Sequence, residues 1–156
     1  MDGLAAAKAE PIEWRRGAAR ISTDRACLQI DVIHRFLETS YWAEGIPRGV
    51  VERSIRNSLC FGIHEGAAQV GFARVISDFA TFGYVADVFV LESHRGRGLA
   101  RWLMECIRAH PDLQGLRRWG LGTRDAHALY RQSGFGPLGD PSIHMEILDR
   151  EVYRRS

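Results

Sequence analysis

Apolar residues recur along this chain with two periods, and the switches between them mark its elements. Residues 19–23 read as a short strand. Ser22, Thr23 or Asp24 can cap the helix that follows. In that helix Leu28, Val32, Ile33, Phe36 and Leu37 fall at helical spacing, while Asp31, His34 and Glu38 share another face. Gly45-Ile46-Pro47 breaks the pattern, and residues 47–58 read as a second helix with Val50, Val51 and Ile55 inward. Residues 59–64 and 69–76 are strands about a Glu65-Gly66 turn, and residues 82–91 are the next strand. Leu99, Leu103 and Ile107 then form a helical stripe, with Ala100 and Met104 beside it, and His110-Pro111 ends it. Residues 117–123 are a further strand. Asp125 can cap a short helix to Ser133, closed by Gly134, and residues 143–148 are a last strand.

The order predicts a mixed α/β fold, and the early hairpin excludes a wholly parallel sheet. Residues 1–18 lack a period and are expected as a flexible tail, with 19–156 as a single domain. At 46% hydrophobic and 26% charged, the chain is ordinary for a globular protein. A net charge of +2, from 21 basic against 19 acidic residues, argues against a nucleic-acid binder. No apolar run approaches a membrane span, so no membrane partner is expected. The odd set Cys27, Cys60 and Cys106, without CxxC spacing, fits a reducing cytoplasm. Histidine spacing suggests no metal site.

Candidate chemistry begins at Arg95-Gly96-Arg97-Gly98-Leu99-Ala100. A glycine-rich basic turn between strand and helix offers backbone N–H groups at a positive helix end, which suits an anion and usually a phosphate. No Lys-Ser/Thr pair follows Gly98, so this is not a Walker loop. Arg101 stands where a dinucleotide fingerprint needs its third small residue, and the motif follows a hairpin, the wrong context. Asp87 is the other anomaly. It interrupts an apolar strand, where Asp is depleted. Such a carboxylate needs a partner or a raised pKa, and it reads equally as a base or as a structural acceptor.

Arg-x-x-Gly-x-Ala at 95–100, directly after a strand, resembles the signature of the GNAT superfamily of acyl-CoA-dependent N-acyltransferases. Leu129-Tyr130-Arg131-Gln132-Ser133-Gly134-Phe135 resembles that family's second marker. The resemblance is sharp over residues 84–135 and softer over 19–78. It implies a central, mostly antiparallel sheet flanked by helices, with a parallel, splayed strand pair at the CoA site. It further implies acetyl-CoA as co-substrate. The pyrophosphate would lie on Arg95, Gly96, Arg97, Gly98, Leu99 and Ala100, with backbone contacts to the pantetheine from Val88, Phe89 and Val90. Thr123 stands where the family commonly has an Asn that contacts the cofactor.

Acyl transfer to an amine poses two proton problems. An alkyl ammonium of pKa about 10.4 costs about 4.6 kcal/mol to deprotonate at pH 7, and the departing thiolate must be quenched. By resemblance Tyr130 is the acid, and Asp87 is the candidate base. No nucleophile stands beside a base, so direct transfer is expected. The first two helices wall the family's acceptor pocket, which here brings in Asp31, His34, Tyr41 and Trp42, with His127 as a further substrate contact. The expected activity is transfer of an acetyl group to a primary amine, on a small molecule or a peptide. The competing reading is a CoA-binding regulatory module without turnover. A homodimer stays open.

Overall fold

The computed structural model describes residues 10–155. Six strands form one sheet in the order β1 to β6: β1 (Glu13–Arg16), β2 (Ala19–Ser22), β3 (Leu59–Glu65), β4 (Ala68–Ser77), β5 (Phe82–Val90) and β6 (Arg118–Gly120). The first five pair antiparallel, and β5–β6 is parallel. Four helices complete the fold: α1 (Ile30–Leu37), α2 (Arg48–Arg56), α3 (Leu99–Ala109) and α4 (His127–Arg131). The mixed, mostly antiparallel sheet with a parallel pair is the expected architecture.

The helices sort onto the two faces by their apolar stripes. Leu99, Trp102, Leu103, Cys106 and Ile107 of α3 pack on Ile21, Phe61, Ile63, Val75 and Val85. Ile33 and Leu37 of α1, with Val51 and Ile55 of α2, pack on Cys60, Phe72 and Phe89 from the other side. Each fully buried leucine or isoleucine contributes about 1.5–3 kcal/mol, so the two clusters fix which face each helix takes.

Three expectations are corrected. Part of the expected tail is a strand: β1 turns into β2 through Gly17 at φ +56°, and Trp14 stacks 6.2 Å from Phe61. Residues 1–9 lie outside the described residues. The first helix starts at Ile30, because Asp24 caps a separate 3-10 turn, Arg25–Cys27, through Ala26 N–H. Residues 143–148 are not a strand. A 3-10 turn at Pro141–Ile143, capped by Asp140, precedes a segment without regular structure, and Met145 and Ile147 are fully exposed. Three-residue β6 offers too short an edge to hold it.

Candidate active site

The site grows from two backbone features of β5. The first is a bulge. Asp87 takes φ +56°, and the β4–β5 register shifts between Phe72 and Arg74. A bulge reverses the alternation of side chains. Val85 therefore faces the α3 cluster, whereas Phe89, four residues on, faces α1 and α2. Left-handed backbone at a non-glycine residue costs about 1–3 kcal/mol and persists only where its surroundings hold it. Here they do: Asp87 Oδ2 accepts from Arg74 Nε at 2.6 Å, and Oδ1 accepts from the Trp42 indole at 2.9 Å. Arg74 also donates to Ser58 Oγ at 3.2 Å. The Asp87 and Arg74 side chains are 9% and 17% exposed, so the pair is largely withdrawn from water.

The second feature is a splay. The β5–β6 register runs only from Phe82↔Arg118 to Tyr84↔Gly120. Beyond Tyr84 the β6-facing edge of β5 has no strand partner among the described residues. A cleft of about 830 Å³ opens there, walled by Phe36 and Trp42 on one side, Val88 to Val90 along β5, and Arg124 and Leu129 opposite. It brings together seven of the expected residues: Tyr41, Trp42, Val88, Phe89, Val90, Arg95 and Ala100. Phe36 stacks on Phe89 at 4.0 Å and meets Trp42 at 6.2 Å, and Trp42 meets Tyr41 edge-on at 5.0 Å. The Tyr41 hydroxyl accepts from Arg124 N–H at 2.9 Å, with the Arg124 guanidinium 4.0 Å over the Tyr41 ring. This clasp joins the α1–α2 loop to the β6–α4 loop.

At the cleft's end, Val90 leads through a 3-10 turn, Glu92–His94, into α3. Gly96 and Gly98 have φ of +77° and +75°, and an added Cβ at either would meet nothing within 4 Å. Backbone conformation, not crowding, requires glycine there. Gly98 caps α3 without a side-chain hydrogen bond, so the N–H groups of Leu99 and Ala100 remain for a ligand. Arg95 is braced by donation from Nε to the Val90 carbonyl at 3.0 Å. Arg97 and His94 both turn to Glu65, at 3.4 Å and 3.9 Å.

Tyr130 lies in α4 and is 9% exposed. Burial, followed by the neighbouring Tyr41 phenol and the Asp125 carboxylate, pushes its hydroxyl up to about 12. It therefore carries its proton throughout the physiological range and is chemically an acid. Thr123 Oγ1 accepts from Ala126 N–H at 3.1 Å and shapes the turn before α4.

The other expected contacts are spent elsewhere. Asp31 pairs with Arg48, whose hydrogen bond and charge hold the Asp31 carboxyl below the usual range. His34 Nε2 meets the Ile46 carbonyl at 2.9 Å and lies 3.6 Å from Glu38. Both residues tie α1 to α2 and its preceding loop. His127 is exposed at the start of α4. A larger cavity, about 1000 Å³, lies between the Arg25–Cys27 turn and His110, and it contains none of the expected residues. Phe36, Arg74 and Arg124 are site residues that the sequence does not mark as such, Phe36 being legible only as part of an apolar helix stripe. The isolated Arg74 in an apolar strand was the available signal, since a lone cation and a lone carboxylate on adjacent strands invite pairing.

Among the described residues, no cluster of three His, Cys, Asp or Glu side chains could hold a metal ion. No described helix is long and apolar enough to cross a membrane.

Comparison with known proteins agrees with this architecture. The model of the acetyltransferase (GNAT) domain matches residues 56–137, which include β3 to α4. A candidate acetyltransferase of Gibberella zeae is 35% identical over 144 residues, covering 78% of this chain and 80% of that protein. The crystal structure of a candidate GNAT-family acetyltransferase from Xanthomonas campestris pv. campestris is 51% identical, with a TM-score of 0.85 over 86% of this chain and 96% of that one. A candidate acetyltransferase from Clostridium acetobutylicum, solved with acetyl-CoA, shares the fold alone, at 14% identity and a TM-score of 0.54 over 76% of this chain and 86% of that one. The bulged β5, the splayed β5–β6 pair and the glycine turn into α3 are thus features of a chain that belongs to the GNAT acetyltransferase family.

Proposed function

We propose that this chain moves an acetyl group from acetyl-CoA to a primary amine by direct transfer. The observation that carries the reading is continuity. The unpaired edge of β5 runs along the cleft from Val88 to Val90 and leads to the N-terminus of α3, which has no side-chain cap. A pantetheine arm carries amides that can pair with such an edge, and a pyrophosphate suits a helix N-terminus. The residues present therefore fit the group. The Gly98–Ala100 N–H groups would hold the pyrophosphate, and the backbone of Val88, Phe89 and Val90 the arm. A helix end contributes up to about 2 kcal/mol to an anion, so most of the affinity must come from the arm.

When bound, acetyl-CoA supplies the activated acyl group. The amine nitrogen forms the new C–N bond as the C–S bond breaks. Asp87 takes the amine proton on lone pairs that Arg74 and Trp42 leave free, and those two partners fix the direction of its carboxylate. Tyr130 donates its hydroxyl proton to the departing sulfur, which its protonated state permits. The free thiols Cys27, Cys60 and Cys106 accord with a cytoplasmic setting.

The test is CoA release, followed with a thiol reagent, against a broad amine panel, alongside thermal shift with CoA or ATP. We expect CoA to stabilise the protein and at least one amine to drive CoA release. No stabilisation by millimolar CoA, or equal stabilisation by ATP, overturns the reading.

A further inference from the structure

Helices α1 and α2 leave part of their sheet face bare. They cover Phe72 and Phe89, which are 0% and 4% exposed. Further along the same two strands, on the same face, Ile76, Tyr84 and Phe82 are 42%, 38% and 39% exposed. Ile76 and Tyr84 are direct cross-strand partners, so the three make one contiguous row. The two rings do not stand up into solvent but lean across β6. A Cβ on Gly120 would lie 3.5 Å from Tyr84 and 3.6 Å from Phe82, and one on Gly122 would lie 3.4 Å from the Tyr84 hydroxyl. Those separations are ordinary van der Waals contact, so the rings pack over β6 and the residues just after it, at the point where β5 and β6 part.

On the reading proposed above, the donor occupies the stretch from Val88 to Ala100. The acceptor must then approach Asp87 from the opposite end of β5, over this row. We propose that Ile76, Phe82 and Tyr84 form the acceptor platform, and that the acceptor is a primary amine carried on an aromatic or branched aliphatic body. Charge supports this choice over a polycation. A polyamine or aminoglycoside needs several available carboxylates. The carboxylate at the head of the platform, Asp87, is charge-balanced by Arg74 and keeps free lone pairs for a single amine. Asp78, in the β4–β5 turn, is committed to the Ala80, Thr81 and Phe82 N–H groups and the Thr81 hydroxyl. An exposed apolar row next to a reacting position recovers binding by covering the rings instead.

The inference rests on the acetyltransferase reading, so its test has two arms. In the first, kcat/KM is measured at saturating acetyl-CoA for phenethylamine, isopentylamine, spermidine and kanamycin. We expect the first two to exceed the others by about tenfold or more. Tyr84→Ser and Phe82→Ser should each raise the KM for phenethylamine about tenfold, and Tyr84→Phe should not, with the acetyl-CoA KM unchanged throughout. In the second arm, phenethylamine is titrated calorimetrically into the protein holding CoA, a readout that needs no turnover. If no amine is acetylated, the reading of the activity fails, while heat from phenethylamine that Tyr84→Ser abolishes retains the platform. Preference for spermidine or kanamycin overturns the inference. So does absence of phenethylamine binding, or serine variants that change sedimentation but not the acceptor KM, which would mark the row as a contact between copies of the chain.

Discussion

Asp87 and Arg74 face each other across the β4–β5 bulge, with Oδ2 2.6 Å from Nε. The pair compensates a carboxylate that is 9% exposed and a backbone that is left-handed at a non-glycine residue. Removing one partner of a buried pair leaves the other charge uncompensated, which costs more than the pair itself contributes. Arg74→Met should therefore lower the unfolding free energy by about 2–3 kcal/mol, somewhat less than for a fully buried pair. Trp42→Phe removes only the indole hydrogen bond and should cost about 1 kcal/mol. Urea denaturation of both variants checks the order. Equal losses would mean that the ion pair is not what holds the bulge.

The turn into α3 gives a second prediction. At Gly98 an added Cβ has open space around it, so Gly98→Ala is strained only through φ +75°. The expected cost in stability is about 1 kcal/mol. CoA affinity should fall about tenfold, because the helix end contributes up to about 2 kcal/mol to an anion and the methyl group distorts it. Calorimetry with CoA and urea denaturation separate the two effects. Undiminished affinity in a destabilised variant would place the phosphates elsewhere.

Local chemistry was legible wherever one stretch of chain carried it. The α3 stripe, the β3–β4 turn at Gly66 and the glycines at 96 and 98 were readable, because spacing and turn chemistry suffice for each. Asp87 stood out as misplaced in its strand, but its partner Arg74 is 13 residues away and required the register. The Tyr41–Arg124 clasp spans 83 residues, and only folding brings its ends together. Asp31 and His34 illustrate the converse. Polar residues on an exposed helix face read as binding groups until the second helix supplies Arg48 and the loop before it the Ile46 carbonyl. Residues 143–148 alternate as a strand should, yet pairing depends on an edge that a three-residue β6 does not offer.

Tyr130 yields a kinetic prediction. Tyr130→Phe removes only a hydroxyl from a ring packed edge-on at 6.1 Å from Phe135, so the fold should be retained. On the proposed mechanism kcat falls about a hundredfold while CoA affinity stays within about twofold. The hydroxyl titrates at about 12, so the acid form persists as pH rises to about 10 and is lost only beyond. Any fall in kcat between pH 8 and 10 must then come from another group, and the wild-type and Phe variant profiles should have the same shape there. A descending limb in that range, present in the wild type and absent from Tyr130→Phe, would contradict the assigned titration.

Two buried histidines, His64 and His110, are expected to weaken the fold in acid. His64 is 1% exposed in β3, and its Nε2 has no hydrogen-bond partner among the described residues. Burial, then the charge of Arg20, lowers its pKa from the ordinary value of 6.5, with Glu13 opposing. Burial lowers His110 in the same way, although its Nδ1 accepts from Asp112 N–H at 3.1 Å. A base with a depressed pKa in the folded state binds protons more readily when unfolded. The unfolded state therefore takes up protons first as pH falls below about 6.5, and stability falls with it. Above that value both states are neutral and the contribution is constant. Thermal unfolding from pH 7.5 to 5.0 should show a falling midpoint in the wild type and a shallower fall in His64→Gln, whose amide does not titrate. The same comparison with His110→Gln measures the second site. Identical slopes in the wild type and both variants would assign the acid sensitivity to carboxylates instead.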